Sequence, residues 1–308
     1  MTDYRPTKED SMLIRTNVTN IGDPFIVSVG KAYYMYATCF DAEGFRVWKS
    51  EDMEQWKNLG VCLDLHDSWT ELDYWAPEVI HHNGKYIMHF TARRKSDHSL
   101  RIGVAVSDSP EGPFVDAHNG PMFDLGYAAI DGHVFIDDDG QPYFYFSKDC
   151  SENYVTPTLR ASQMCVCKLS DDLLNITSEP ITLFGPSESY DFIILGDQAW
   201  NEGPYVLKKD GHYYMTYSAN CYHTRDYCIC LAKADHPMGP FQKTGPIMSC
   251  GAKGEDFSGP GHNAFFYDNE DRLKMTFHIH TYEDAPSPNR KACICDAELC
   301  EDTIKFTI

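Results

Sequence analysis

The sequence predicts an all-β protein, a single catalytic five-bladed β-propeller running through residues 1–308. Three observations carry that expectation. One hairpin plan recurs five times, aromatic side chains make up 13% of the chain, and no Ser/Gly/Pro-rich linker divides it. The plan is a short apolar strand, a polar or glycine turn, then an aromatic-rich strand. It occurs at residues 23–36, 76–90, 131–146, 202–217 and 261–277. Asn83-Gly84, Asp139-Gly140 and Asp210-Gly211 sit at three of the turns, and Asn-Gly or Asp-Gly between apolar runs is the strongest short-range hairpin signal.

A third, alternating strand follows each hairpin. Residues 100–107 precede Ser109-Pro110-Glu111-Gly112-Pro113-Phe114, and residues 227–234 precede His236-Pro237-Met238-Gly239-Pro240-Phe241. Residues 45–50 with Trp56, 164–170 and 292–295 fill the same slot in the other copies. Four strands repeated five times read as propeller blades. A β-sandwich would not need five copies of one hairpin. The extra length before Gly211 is expected to lie in residues 179–200, as a loop over one mouth of the channel, and helix content is expected to be minimal. The 19 Tyr, 17 Phe and 5 Trp suit strands and aromatic-walled pockets.

Composition narrows the function classes. With 26 Lys+Arg against 46 Asp+Glu the formal charge is −20, a field that repels phosphate backbones and anionic lipid. Nucleic acid and membrane are therefore not expected as partners, and the apolar runs fall short of the ~20 residues a spanning helix needs. The polar start, residues 1–10, lacks the apolar run of a secretory signal and reads as cytoplasmic. Twelve cysteines include the C-x-C pairs Cys165/Cys167, Cys228/Cys230 and Cys293/Cys295 inside strand-like runs. Residues two apart in a strand share a face, so these read as small buried thiols in a reducing compartment.

In a propeller the first strand of each blade lines the channel, so its first residues converge at one mouth. Asp23, Asp131 and Glu202 hold that place in three blades. Asp131 and Glu202 each stand nine residues before their turn glycine, and Asp23 stands seven before Gly30. A single acid at a strand start is plainly read as a hairpin-bonded carboxylate. Three facing one opening point to chemistry, because crowded carboxylates must separate their pKa values and so supply an acid and a base at one pH. Glycoside hydrolysis uses such a pair.

These residues also carry a resemblance. Asp23-Pro24-Phe25-Ile26, Trp75-Ala76-Pro77-Glu78-Val79, Ile130-Asp131-Gly132-His133-Val134-Phe135, Glu202-Gly203-Pro204 and Gly259-Pro260-Gly261-His262-Asn263 resemble, in order, the motifs of glycoside hydrolase family 43. Its members are five-bladed, inverting β-xylosidases, α-L-arabinofuranosidases and arabinanases. Ile21-Gly22 before Asp23 is a small departure from the pattern. The resemblance implies that Asp23 is the general base, Glu202 the general acid, and Asp131 the residue that orients the acid and tunes its pKa. It also implies that Trp75 walls the sugar site, against the plainer reading of a blade-core Trp. Arg290 is implied to touch substrate, against the plainer reading of a surface arginine at a strand start. His278 is implied to hold a calcium or similar ion in the channel, and a satisfied core histidine is the alternative. His262, by register beside the channel, is expected to bond sugar hydroxyls or the ion's waters. Asp137-Asp138-Asp139-Gly140 lacks the remaining positions of a calcium loop and reads as a solvated turn.

The expected activity is exo-acting, inverting release of terminal α-L-arabinofuranose or β-D-xylose from hemicellulose-derived oligosaccharides. An endo-arabinanase is the alternative enzyme, with sister families acting on fructosides or by phosphorolysis behind it. A non-catalytic carbohydrate-binding propeller is the alternative class. Residues 179–200 and 40–45 are the segments expected to rim a blind pocket. The oligomeric state is not readable from the sequence.

Overall fold

The structure, a computed structural model, describes residues 13–40, 44–254, 257–282 and 286–308. The polar start at residues 1–10 and the middle of the 40–45 segment lie outside the described residues. The strands form five antiparallel blades around a channel. Blade 1 is Ile14–Val29, Ala32–Cys39, Gly44–Ser50 and Lys57–Asp64, and blade 2 is Thr70–His82, Lys85–Arg94, Leu100–Ser107 and Val115–Asp116. Blade 3 is Ala129–Ile136, Pro142–Lys148, Gln163–Lys168 and Ile181–Phe184. Blade 4 is Asn201–Lys209, His212–Ala219, Cys228–Ala234 and Gln242–Met248. Blade 5 begins with Gly261–Tyr267, Leu273–His280 and Arg290–Leu299. Its outer edge comes from both ends of the chain: Ile304–Thr307 pairs with residues 296–299, and the first half of Ile14–Val29 pairs with residues 290–294. Among the described residues the helical content is one 3-10 turn, Ala252–Gly254.

The gaps between blades hold the core. Phe45 and Phe90 fill the gap between blades 1 and 2, Ile102 and Phe144 that between 2 and 3, and Tyr145 and Tyr217 that between 3 and 4. Met275 and Ile229 fill the gap between 4 and 5, and Met35 and Ile294 close the ring between 5 and 1. The aromatic-rich second strands supply most of the bulk, as burial of large rings demands. The six C-x-C cysteines are buried free thiols. The expected loop over residues 179–200 is only partly loop. Ile181–Phe184 completes blade 3, and the extra length is shared with a hairpin, Tyr154–Thr156 and Leu159–Ala161, that pairs in parallel with Gln198–Ala199.

One irregularity repeats in every blade and positions the site. Within each first strand the register slips by one residue: between Gly22 and Phe25, Trp75 and Glu78, Ile130 and His133, Glu202 and Tyr205, and Gly261 and Ala264. This is a β-bulge, which bends the strand and re-aims side chains. The second residue of each interval has a positive φ: Asp23 at 53°, Ala76 at 43°, Asp131 at 59°, Gly203 at 59° and His262 at 47°. Four of the five are not glycine, at a backbone cost of about 1–2 kcal/mol each.

Bonds between neighbouring blades hold the bulges. The residues facing the first member of each interval are Thr38, Thr91, Ser147, Ser218 and His278. Thr38 Oγ1 accepts the Ala76 N–H at 2.8 Å, Thr91 Oγ1 the Asp131 N–H at 3.1 Å, and Ser218 Oγ the His262 N–H at 2.7 Å. His278 Nδ1 accepts the Asp23 N–H at 3.1 Å. In the remaining gap Ser147 Oγ donates to the Asn201 carbonyl at 3.2 Å, and Gly203 N–H goes to Asp131 Oδ2 at 3.0 Å. Each of these bulges is thus tied to a neighbouring blade by a buried hydrogen bond.

Candidate active site

The bulges deliver side chains from all five blades to one mouth of the channel, around a cavity of about 190 Å³. Six of the seven residues singled out from the sequence line it: Asp23, Trp75, Asp131, Glu202, His262 and Arg290. A larger cavity of about 560 Å³ opens where the same strands end, at residues such as Gly30 and His81, and holds none of the three acids. Chemistry therefore belongs to the smaller one.

Asp131 and Glu202 do not share the one register that their equal distance from the turn glycines implies. Asp23 and Asp131 occupy their bulges, whereas Glu202 stands one residue before its own, with Gly203 in the bulge. Glu202 thus shares its place with Gly22, Trp75, Ile130 and Gly261, each of which faces the residue across the hairpin.

Asp23 is buried in a cationic setting. Its Oδ1 accepts from Arg290 Nη1 at 3.0 Å and lies 3.2 Å from His262 Nδ1, and its Oδ2 accepts from the Thr38 hydroxyl. Burial alone would push this carboxyl up. The Arg290 guanidinium, the two histidines and Thr38 outweigh it and hold it well below the usual carboxylate range. Arg290 reaches this position because Gly22 has no side chain, since a Cβ there would lie 2.1 Å from Nη2. The guanidinium also sits 4.8 Å over the Tyr222 ring. Arg290 is 5% exposed, so it is not a surface arginine.

Glu202 has the opposite setting. Burial first, then the charges of Asp23 and Asp149, push it up to about 8, against a hydrogen bond from Tyr227 Oη at 2.9 Å and the pull of Arg290. Asp131 is also pushed up, by burial and then by Glu202 and Asp23, against the Gly203 N–H. Burial pushes the His262 pKa down, leaving a neutral imidazole at neutral pH. Trp75 is half-buried, packed against Leu100, Ala128 and Ile130 at the cavity wall.

The seventh residue, His278, lies behind Asp23 and is fully buried. Its surroundings do not fit a calcium-type ion. A neutral imidazole has one lone pair to give, and Nδ1 spends it on the Asp23 N–H. Nε2 therefore carries the hydrogen. Arg290 Nη1, itself a cation, lies 3.3 Å from it. Among the described residues no three His, Cys, Asp or Glu side chains are grouped as a metal site. His278 is the blade-5 counterpart of Thr38, Thr91 and Ser218, with its ring stacked at 4° on Tyr227.

Phe40, from the segment expected to rim the pocket, lines the cavity, and so do Arg93 and Asp149, which sequence reasoning missed. They stand two residues after Thr38, Thr91 and Ser147, hence on the same strand face. Aligning the second strands of the blades would have found them. Tyr227 and Tyr222, on the approach to blade 4's third strand, carry no such periodic signal.

Comparisons with known proteins agree with this geometry. The sequence pattern of glycosyl hydrolases family 43 matches residues 17–304. A xylosidase/arabinosidase of Bacteroides ovatus is 31% identical over 229 residues, 68% of either chain. An extracellular endo-alpha-(1->5)-L-arabinanase of Thermotoga petrophila is 25% identical, over 85% of this chain and 64% of its own. The crystal structure of a thermostable family-43 glycoside hydrolase superposes with a TM-score of 0.88 at 40% identity, covering 95% of this chain and 94% of that one. With the family pattern spanning all five blades and their bulges, the chain belongs to glycosyl hydrolases family 43 and is a glycoside hydrolase.

Proposed function

We propose that the protein is an exo-acting, inverting glycosidase that releases terminal α-L-arabinofuranose or β-D-xylose from short oligosaccharides, with Asp23 as general base and Glu202 as general acid. The observation that carries this reading is the opposed setting of two buried carboxylates in one cavity, Asp23 bonded to a guanidinium and Glu202 without a cation bonded to it. At neutral pH Asp23 is ionised and Glu202 holds its proton. Water on the Asp23 side attacks the anomeric carbon as the glycosidic C–O bond breaks on the other. Glu202 gives its proton to the leaving oxygen while Asp23 takes one from the attacking water. Solvent exchange resets both. Asp131 accepts the N–H of Gly203, next to Glu202, and so orients the acid's strand.

Arg290 and the neutral His262 face the cavity with hydrogen-bonding groups suited to sugar hydroxyls, and Trp75 offers a flat apolar face. Pentose substrates are favoured by relatives named xylosidase/arabinosidase. The small walled cavity favours a terminal residue over the middle of a chain. No step runs through an ion.

The test is hydrolysis of 4-nitrophenyl α-L-arabinofuranoside and β-D-xylopyranoside, with Glu202→Ala as control. Release that the variant loses supports the reading, and NMR of the first-formed anomer checks inversion. Inactivity on both glycosides with cleavage of arabinan would replace it by an endo-arabinanase. Binding without turnover would leave a carbohydrate-binding propeller.

A further inference from the structure

The cavity holds a fourth carboxylate that the mechanism does not use. Asp149 follows the second strand of blade 3 and is 6% exposed. Its Oδ1 accepts the Ser151 N–H at 2.9 Å, and among the described residues no donor reaches Oδ2. Among the described residues no arginine or lysine forms an ion pair with it. Its side chain lines the cavity, so the open oxygen faces the space where substrate would lie and is free to accept from it.

Its place is on the Glu202 side. Ser147, two residues earlier, is bonded to the carbonyl of Asn201, the residue before Glu202. The neighbouring Cys150 and Ser151 line the same wall with Gln198 and Trp200, and Gln198 Nε2 lies 3.6 Å from Cys150 Sγ. The charge of Asp149 adds, behind burial and the other acids, to what raises Glu202 and Asp131, whereas the groups acting on Asp23 are Arg290, His262, His278 and Thr38. The general acid faces the leaving group, so a group beside it faces the sugar that departs.

We propose that Asp149 is a specificity-determining residue whose open oxygen accepts a hydroxyl of the leaving sugar, selecting glycosides whose leaving group is itself a sugar. This rests on the glycosidase reading above. The preferred substrate class is then an oligosaccharide of at least two sugars, and alkyl or aryl glycosides are served less well.

The experiment compares wild type with Asp149→Ala on three substrates of the same terminal sugar: the disaccharide, the methyl glycoside and the 4-nitrophenyl glycoside. The methyl glycoside needs protonation of its leaving oxygen as the disaccharide does, but offers no leaving-group hydroxyl. Losing a bond to a charged acceptor should lower the disaccharide-to-methyl ratio of kcat/KM by about 10- to 100-fold. An unchanged ratio overturns the proposal. A parallel loss on disaccharide and methyl glycoside, with the nitrophenyl glycoside spared, would mean that Asp149 acts only through Glu202. Equal loss on all three, with Asp149→Ser giving the same, would mean a structural role. Wild type inactive on all three would instead sink the underlying function.

Discussion

Replacing Glu202 by glutamine should abolish turnover and, above neutral pH, make the protein more stable. In the folded chain the Glu202 carboxyl binds its proton up to about 8, against an ordinary 4.5. A carboxyl whose folded pKa is raised binds more protons folded than unfolded, so stability falls as pH climbs between the two values. Below pH 4 there is no penalty, and above pH 8 it is complete. The interval at about 1.4 kcal/mol per pH unit gives ~5 kcal/mol. Glutamine keeps the shape and still accepts from Tyr227 Oη, but it cannot ionise. A chain of 308 residues has an unfolding entropy of roughly 0.65 kcal/mol/K, so the gain at pH 8.5 is about 7 °C in Tm. The assay is thermal melting of both proteins from pH 4.5 to 9. The curves should meet at the acid end and part steadily above pH 5. Parallel curves would refute the premise that burial holds Glu202 protonated.

Three further outcomes follow from the same contacts. Tyr227→Phe removes a donor that favours ionised Glu202, so the alkaline limb of the pH–rate profile should move up by about 0.7 pH unit, the equivalent of one hydrogen bond of ~1 kcal/mol. A limb that stays or falls contradicts the assigned acid. Gly22→Ala places a methyl where Arg290 lies, and displacing that side chain should cost at least ~10-fold in kcat/KM. Because Asp23 then loses its strongest cation, the acid limb should also move up, and an unmoved limb would show that Arg290 does not set it. Dialysis against a chelator should leave kcat within about twofold, since the lone pair of His278 Nδ1 is committed to the Asp23 N–H. A large loss restored by calcium would show that His278 turns to hold an ion.

The blades were legible because a hairpin is local: its turn residues and its alternating strands lie within some fifteen residues of each other. The convergence of Asp23, Asp131 and Glu202 was legible for the same reason, once the copies were aligned. Their fine placement was not. Asp131 and Glu202 stand equally far from their turn glycines, yet one occupies the bulge and the other precedes it, because strand length after a bulge varies from blade to blade. His278 looks like a ligand in isolation, and only its alignment with Thr38, Thr91 and Ser218 shows a residue that fastens one blade to the next. Asp149 and Tyr227 act across a gap between blades, where sequence neighbours carry no information. Gly22, a mere departure from a motif in the sequence, turns out to be the space that Arg290 fills.

The seam between the last blade and the first has a consequence for how the enzyme is born. Residues 14–21 must wait for residues 290–294, made about 270 residues later. At 5–20 residues per second that is roughly a quarter-minute to a minute of synthesis. Through that time the strand offers an unsatisfied edge to any passing chain. Asp23 waits too, because Arg290, His262 and His278 all arrive with blade 5. A nascent chain can therefore own both carboxylates and still lack the setting that makes one a base, so hydrolysis should begin only when the ring shuts.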